Sequence, residues 1–411
     1  MIPLEEARAF VLSGCPSGSP VTVPLDRALG LVAASGAVAG EEVPPFANTA
    51  MDGYALRAAD VAGAPVTLRV AGTVRAGESG HDAPVGQGEA VRIMTGAPLP
   101  PGADAVVMVE LTDPADGGAS VVVREPVPVG NHVRPAGDDV VLGDRVLEAG
   151  AVLSPGHLGF LATVGIREVD VVPRPRVGVI STGDELVDDG SPLAPGQIRD
   201  SNRLTQRALV AESGFEAVDL GLVRDDEAAI EAALLEGVTR CDAIVTTGGV
   251  SMGDFDYVKV VLDRIGDMRW MQVAIKPAKP LAFGTVARPD DGTPVPVFGL
   301  PGNPVSSMVS FELFCRPGLR RMAGHAEGDL DRATVRAVVD EPLARKPDGK
   351  VHFARVACRY DDATGTHHVT SAGAQGSHHM AAMAAADALA ELPDGPTVEP
   401  GSTVRVRLLR S

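Results

Sequence analysis

Leu4, Ala7, Phe10 and Val11 recur at helical spacing in PLEEARAFVLS, which predicts a short amphipathic helix over residues 3–13. From about residue 40 to 145 the period shortens. Runs such as PVTLRVAGTV and ADAVVMVE are cut by Gly, Pro and Asp, the texture of a β-rich region. LSPGHLGFLATVG (153–165) returns to a helical pattern, with Ser154 placed as N-cap and Pro155 in the first turn. This helix is expected to pack with the N-terminal one, leaving the β-rich part as an insertion. PRPR (173–176) then reads as a stiff linker.

Beyond the linker, strand and helix alternate. RVGVIST, AVDLGLV and CDAIVTT read as strands, separated by helices over NRLTQRALVAESG and DDEAAIEAALLEG, with a third helix near DYVKVVLDRIG. A hairpin at WMQVAIKPAKPLAFGTV, a strand at VPVFGL and a helix over VSSMVSFELFC follow. The fold class is therefore α/β, a doubly wound, mostly parallel sheet. From about 330 the chain alternates again. In TVRVRLLR, Val404, Val406 and Leu408 share one face and Arg405 and Arg407 the other. The expected organisation is a helical and linker domain from 1–38 and 146–172, an inserted β-rich domain (39–145), the α/β domain (173–328) and a small C-terminal β domain (329–411).

Composition narrows this picture. At 411 residues the chain is too long for one ordinary core. With 47 glycines, 33 prolines and 3% aromatics, its cores must be built from Val, Ala and Leu. A formal charge of -18 argues against a general nucleic-acid binder, because phosphate backbones are held by excess Lys and Arg. The start MIPLEEARAF lacks the basic and apolar regions of a signal peptide, and no apolar run reaches the roughly 18 residues of a membrane span, so a cytoplasmic location is expected. Cys15, Cys241, Cys315 and Cys358 lie far apart and read as reduced thiols rather than a zinc site or disulfide framework.

In an open parallel sheet, ligands bind beyond the carboxyl ends of the strands. The polar motifs fall there: STGDEL (181–186), VRDDE (223–227), TTGGVSMGDFD (246–256) and GLPGNPVSS (299–307). Four such loops on one rim would gather Asp184, Glu185, Asp225, Asp226, Asp254 and Asp256 near Gly248, Gly249, Ser251 and Ser306. The Gly248–Gly249 amides and the helix N-termini suit phosphate. Taken singly, each feature has a plainer role: glycines make tight turns, and Asp225 or Asp226 caps the helix that follows. Lys276 and Lys279 in AIKPAKP, stiffened by prolines, are cationic partners for phosphate. In the β-rich region Asn48, Thr49 and Thr95 accompany Asp52, while RPAGDDV (134–140) supplies Asp138 and Asp139. No Walker loop, GxGxxG or G-x-S-x-G elbow is present.

The segments PPFANTAMDGYA, RIMTGAPLPPGADAVV, RPAGDDV, GVISTGDEL, GQIRDSNR, TTGGVSMGDFDYV, AIKPAKPLAFG and FGLPGNPVSS together resemble the molybdopterin molybdotransferases, to which the C-terminal domain of gephyrin is related. TTGGVSMGDFDY alone would also fit the smaller molybdopterin adenylyltransferases, but MDGYA, MTGAP and a C-terminal β domain do not belong to those. The resemblance implies a molybdenumtransferase that delivers molybdenum from molybdate to adenylylated molybdopterin and releases AMP with Mg²⁺. It also implies a homodimer whose sites are shared between subunits. Carried over by motif, Glu185, Asp225 and Asp256 would be the essential acids and metal ligands. Asp52, Thr95 and Asp139 would come from the partner subunit, Lys276 and Lys279 would face phosphate, and Pro301, Pro304 and Ser377 would form the pocket wall. Thr49 stands where the family often has Ser, which keeps the hydroxyl. The rival of another class is a scaffold, against which the retained carboxylates argue. Tungstate is an alternative oxyanion to molybdate.

Overall fold

A computed structural model describes residues 1–250 and 257–410. The chain forms two compact units, one of Thr22–Asp170 and one of Met1–Val21 with Val171–Ser411.

The larger unit is organised by a six-stranded sheet. Its order is Glu216–Val223, Arg176–Thr182, Ala243–Thr247, Pro294–Leu300, Pro280–Ala287 and Gly266–Gln272. The first four strands run parallel. The last two form the expected hairpin and pair antiparallel, so the sheet is mixed. The central strands are buried along nearly their whole length, as strands covered by helices on both faces must be. Helices Asn202–Glu212, Glu227–Arg240 and Tyr257–Ile265 alternate with them. The helix entered at Pro304 continues past Cys315 to Met322, through a wide turn over Phe311–Cys315 that accommodates Pro317 without breaking the axis.

The N-terminal helix forms at Leu4–Ser13, and its apolar stripe is committed to this unit. Leu4, Ala7 and Val11 join Val177, Phe283 and Phe298 in one core. An amphipathic stripe specifies burial but not its partner, which here is the core of this unit. Arg8 on the same helix bonds Asp331 at 2.8 Å, and Asp331 also takes Arg407 at 2.7 Å. Arg407 is only 7% exposed, although it lies on the strand face of exposed Arg405. A carboxylate held between two guanidiniums makes that burial tolerable.

The C-terminal strands close on themselves. Val351–Asp361, Thr366–Ser371, Thr334–Val339, Thr403–Leu408 and Ala388–Leu392 follow in order, and the last pairs back to the first. The result is a small barrel around Val339, Val356, Val369, Ala388 and Val406. Ile275–Lys276, between the two hairpin strands, adds parallel to its edge with Lys276 opposite His352.

The smaller unit carries a six-stranded curled sheet with apolar clusters on both faces. Its helix Pro155–Thr163 starts as expected. Ser154 accepts the His157 amide and His157 bonds back to the Ser154 amide. No helix among the described residues is long and apolar enough to cross a membrane. Cys15, Cys241 and Cys315 are buried free thiols, and Cys358 is half-buried and free.

Candidate active site

The four parallel strands of the larger unit end at one edge, and their loops meet. Asp184 and Asp225 are joined reciprocally: the amide of each donates to the carboxylate of the other at 3.4 Å. The Gly183 amide donates to the Val223 carbonyl at 3.3 Å, which fixes the two loops side by side. Asp225 has an exposed surface, yet lost hydration is the largest cause pushing its carboxyl above the ordinary range. Asp184 and Glu185 push it further, against the lowering effect of the Asp184 amide. Asp226 is different, since its carboxylate caps the next helix by accepting the Ala229 amide at 2.8 Å. Of the two adjacent acids, Asp225 is the one turned to the rim.

Gly248 sits at the centre of the edge. Its φ of 91° is in the left-handed region, and a Cβ there would lie 3.2 Å from the Thr182 carbonyl oxygen. Its amide already donates to the Leu300 carbonyl at 3.1 Å. The expected use of that amide for phosphate is therefore corrected: Gly248 is required for close approach of three strands. A Cβ on Gly302 would come within 3.8 Å of the Gly248 Cα, and the Asn202 amide side chain holds the Gly302 carbonyl at 2.8 Å. Pro301 is buried, and Pro304 occupies the first helical position. The Val305 amide behind it donates to the Ser377 carbonyl at 3.1 Å. Ser377 thus lies against the Pro301–Pro304 loop and does not cap the helix Met380–Ala385, where His379 stands at the cap position.

Lys276 and Lys279 are exposed on a backbone pinned by buried Pro277 and Ala278. Ala278 has φ 77°, an uncommon conformation for a residue with a Cβ, which costs on the order of 1–3 kcal/mol and persists only where the surroundings enforce it. Under this turn a cavity of about 70 Å³ is lined by Lys276, Pro277, Arg345, His352, Arg355 and Gln375 among others. Arg355 is 1% exposed. Its guanidinium donates to the Ala374 and Gly376 carbonyls, neither a carboxylate nor an acceptor for Nε meets it among the described residues, and burial draws its pKa down to about 10. A buried cation of this kind beside Lys276 is suited to an anion. Sequence reasoning missed it, because VHFARVAC shows only one charge within a strand.

Ser251, Asp254 and Asp256 lie outside the described residues. Among the described residues no three His, Cys, Asp or Glu side chains gather as a metal-sized group. Glu185 and Asp225 are near enough to repel, so the acids present suit a hard dication with oxygen ligands.

In the smaller unit, Asp52 and Thr95 meet as expected. The Thr95 amide and hydroxyl both donate to one Asp52 oxygen at 2.7 Å. Those bonds, with help from Arg92, hold the Asp52 carboxyl below its ordinary value against a small loss of hydration. Thr49 does not join them through its side chain. Its hydroxyl folds onto Met51, while its carbonyl accepts the Gly96 amide and so ties the two loops. Asp139 is exposed on the neighbouring segment, with its amide donating to the Val43 carbonyl at 2.9 Å.

Three family models match in chain order: "MoeA N-terminal region (domain I and II)" over residues 2–165, "Probable molybdopterin binding domain" over 178–321, and "MoeA C-terminal region (domain IV)" over 336–409. A curated relative from Mycobacterium tuberculosis, "Molybdopterin molybdenumtransferase 2", is 42% identical over 91% of both chains. The "Molybdopterin molybdenumtransferase" of Haemophilus influenzae is 37% identical over 99% of this chain and 98% of its own. A crystal structure of the "molybdopterin biosynthesis moea protein from Pyrococcus horikosii" superposes over all of both chains with a TM-score of 0.82 and 31% identity. The chain belongs to the molybdopterin molybdenumtransferase family, transferases of molybdenum cofactor biosynthesis.

Proposed function

We propose that this chain delivers molybdenum from molybdate to the dithiolene of adenylylated molybdopterin and releases AMP, with Mg²⁺ as the divalent ion. The observation that carries this reading is the reciprocal contact of Asp184 and Asp225, with Glu185 close enough to act on Asp225 through its charge, on the rim where Gly248 and Gly302 close together. Glu185, Asp225 and Asp256 would hold the ion, and bound there it would neutralise charge on the phosphoanhydride. The chain's own groups do the rest. Lys276 and Lys279 face the phosphate side, and Arg355 beside Lys276 suits an oxyanion such as molybdate. Gly249 and Ser251 are assigned to substrate binding by their motif, and Pro301, Pro304 and Ser377 form the wall. The chain acts as a homodimer in which Asp52, Thr95 and Asp139 come from the partner subunit, with the four-region organisation read from the sequence. A cytoplasmic location suits such a substrate.

The test incubates the purified protein with adenylylated molybdopterin, Mg²⁺ and molybdate and follows AMP and finished cofactor. Formation of both, lost on chelation, is expected. Absence of AMP release under these conditions overturns the reading.

A further inference from the structure

The strand Glu216–Val223 does not run evenly beside Arg176–Thr182. Val179 faces Asp219 and Ser181 faces Leu222, so Leu220 and Gly221 together oppose the single Ile180. Such a bulge advances the strand by one residue, and in a structure of period two that decides which face later residues present. Here it brings Val223 level with Thr182, which lets Gly183 bond the Val223 carbonyl and Asp225 meet Asp184. Gly221 adopts φ 87° in the bulge, and its amide donates to Asp219 at 2.9 Å.

Asp219 is held by Arg207, at 2.7 Å, and by Arg203, at the start of the helix Asn202–Glu212. One nitrogen of the Arg203 guanidinium bonds both Asp219 oxygens, at 2.7 and 2.8 Å; Nε bonds Asp200 at 3.2 Å, and the remaining nitrogen bonds Asp188. Asp188 and Asp200 flank the short parallel pair Leu186–Val187 and Ile198–Arg199, in which the Ile198 amide donates to the Glu185 carbonyl at 2.8 Å. One side chain thus grips both segments that carry the rim acids. With Arg203 14% and Asp200 1% exposed at the side chain, this is a half-buried network rather than a weak surface pair.

We propose that Arg203 is the positioning residue of the acidic rim: through Asp219 it sets the Leu220–Gly221 bulge, through Asp188 and Asp200 it sets the Glu185 loop, and so it holds Asp225 against Asp184 and Glu185. The inference rests on the rim being the site proposed above.

The test reads position and activity separately. In Arg203→Gln, backbone amide hydrogen exchange at Gly183, Ile198 and Gly221, whose bonds fix the two rim segments, should speed up about tenfold or more while the Ala229 amide, capped by Asp226, keeps its rate. AMP release should fall about tenfold or more in kcat, with KM changed no more than about threefold and unfolding still cooperative, as expected when reacting groups are misplaced but binding survives. Arg203→Lys keeps the charge without the three-way fork and should fall between the two; it serves as the folded variant if the glutamine form loses cooperative unfolding. Unchanged exchange at Gly183, Ile198 and Gly221 in both variants overturns the positioning role, whatever happens to AMP. Absence of AMP release from the unsubstituted protein overturns the rim reading instead, and with it the catalytic meaning of Arg203.

Discussion

Asp225 in the larger unit and Asp52 in the smaller one are both exposed loop carboxylates, and their surroundings push them in opposite directions. Asp225 has lost hydration and faces Asp184 and Glu185, so its charge is poorly accommodated. Asp52 takes two hydrogen bonds from Thr95 on one oxygen and stays readily ionised. The first environment asks for a cation; the second is already satisfied and fixed in orientation. A carboxylate left short of positive charge beside other acids is the stronger candidate for holding a metal, whereas one pinned by donors is suited to presenting its free oxygen to a ligand.

The largest effect should come from exchanging the two. Asp225→Asn is expected to lower AMP release about a thousandfold, the scale of losing an electrostatic group that acts in the transition state. Asp52→Asn should lower it about tenfold, the scale of losing one orienting contact. If the sites are shared across a dimer, mixing the two variants in equal amounts should give up to roughly a quarter of normal activity, more than either variant alone, since random assembly places one intact site in half of the dimers. No recovery on mixing would remove the shared-site reading.

A smaller effect concerns pH. For Asp225, the raised folded value means that its contribution to stability is full below the ordinary carboxylate range. It is lost as pH rises from about 3.8 through the raised value. For Asp52 the sign is reversed: its contribution is present above about 3.8 and lost as pH falls through the depressed value. Urea midpoints followed from pH 3 to 7 should therefore change with Asp225→Asn and Asp52→Asn in opposite senses. Thr95→Ala removes one of the two bonds to Asp52 and should raise the Asp52 titration partway, with Thr95→Ser restoring it. Smallest for function is Ser154→Ala, which should cost about 1 kcal/mol of stability as a lost helix cap and leave AMP release unchanged.

Much of this is legible in the sequence. Alternating apolar runs located the α/β region, because strands buried on both faces and helices with one apolar stripe leave different periods. Ser154 was readable as a cap because capping depends on a few adjacent residues. Properties set by distant segments were not readable. The stripe of Leu4, Ala7 and Val11 did not name its partner, strand alternation did not reveal that the C-terminal strands close into a barrel, and the shared face of Arg405 and Arg407 gave no sign of Asp331 beside Arg407. The same holds in the site. Sequence placed Asp225 and Asp226 together without separating rim acid from cap, and it offered the Gly248 amide to phosphate when the Leu300 carbonyl already holds it.

The central claim is that the Asp225 rim couples AMP release to molybdenum insertion. The direct measurement is a single-turnover reaction with adenylylated molybdopterin, molybdate and Mg²⁺, quantifying AMP and molybdenum-loaded cofactor together in the unsubstituted protein and in Asp225→Asn. The account predicts equal amounts of the two products from the unsubstituted protein and almost none of either from the variant, with folding intact. Normal release of AMP by a folded Asp225→Asn protein would contradict it.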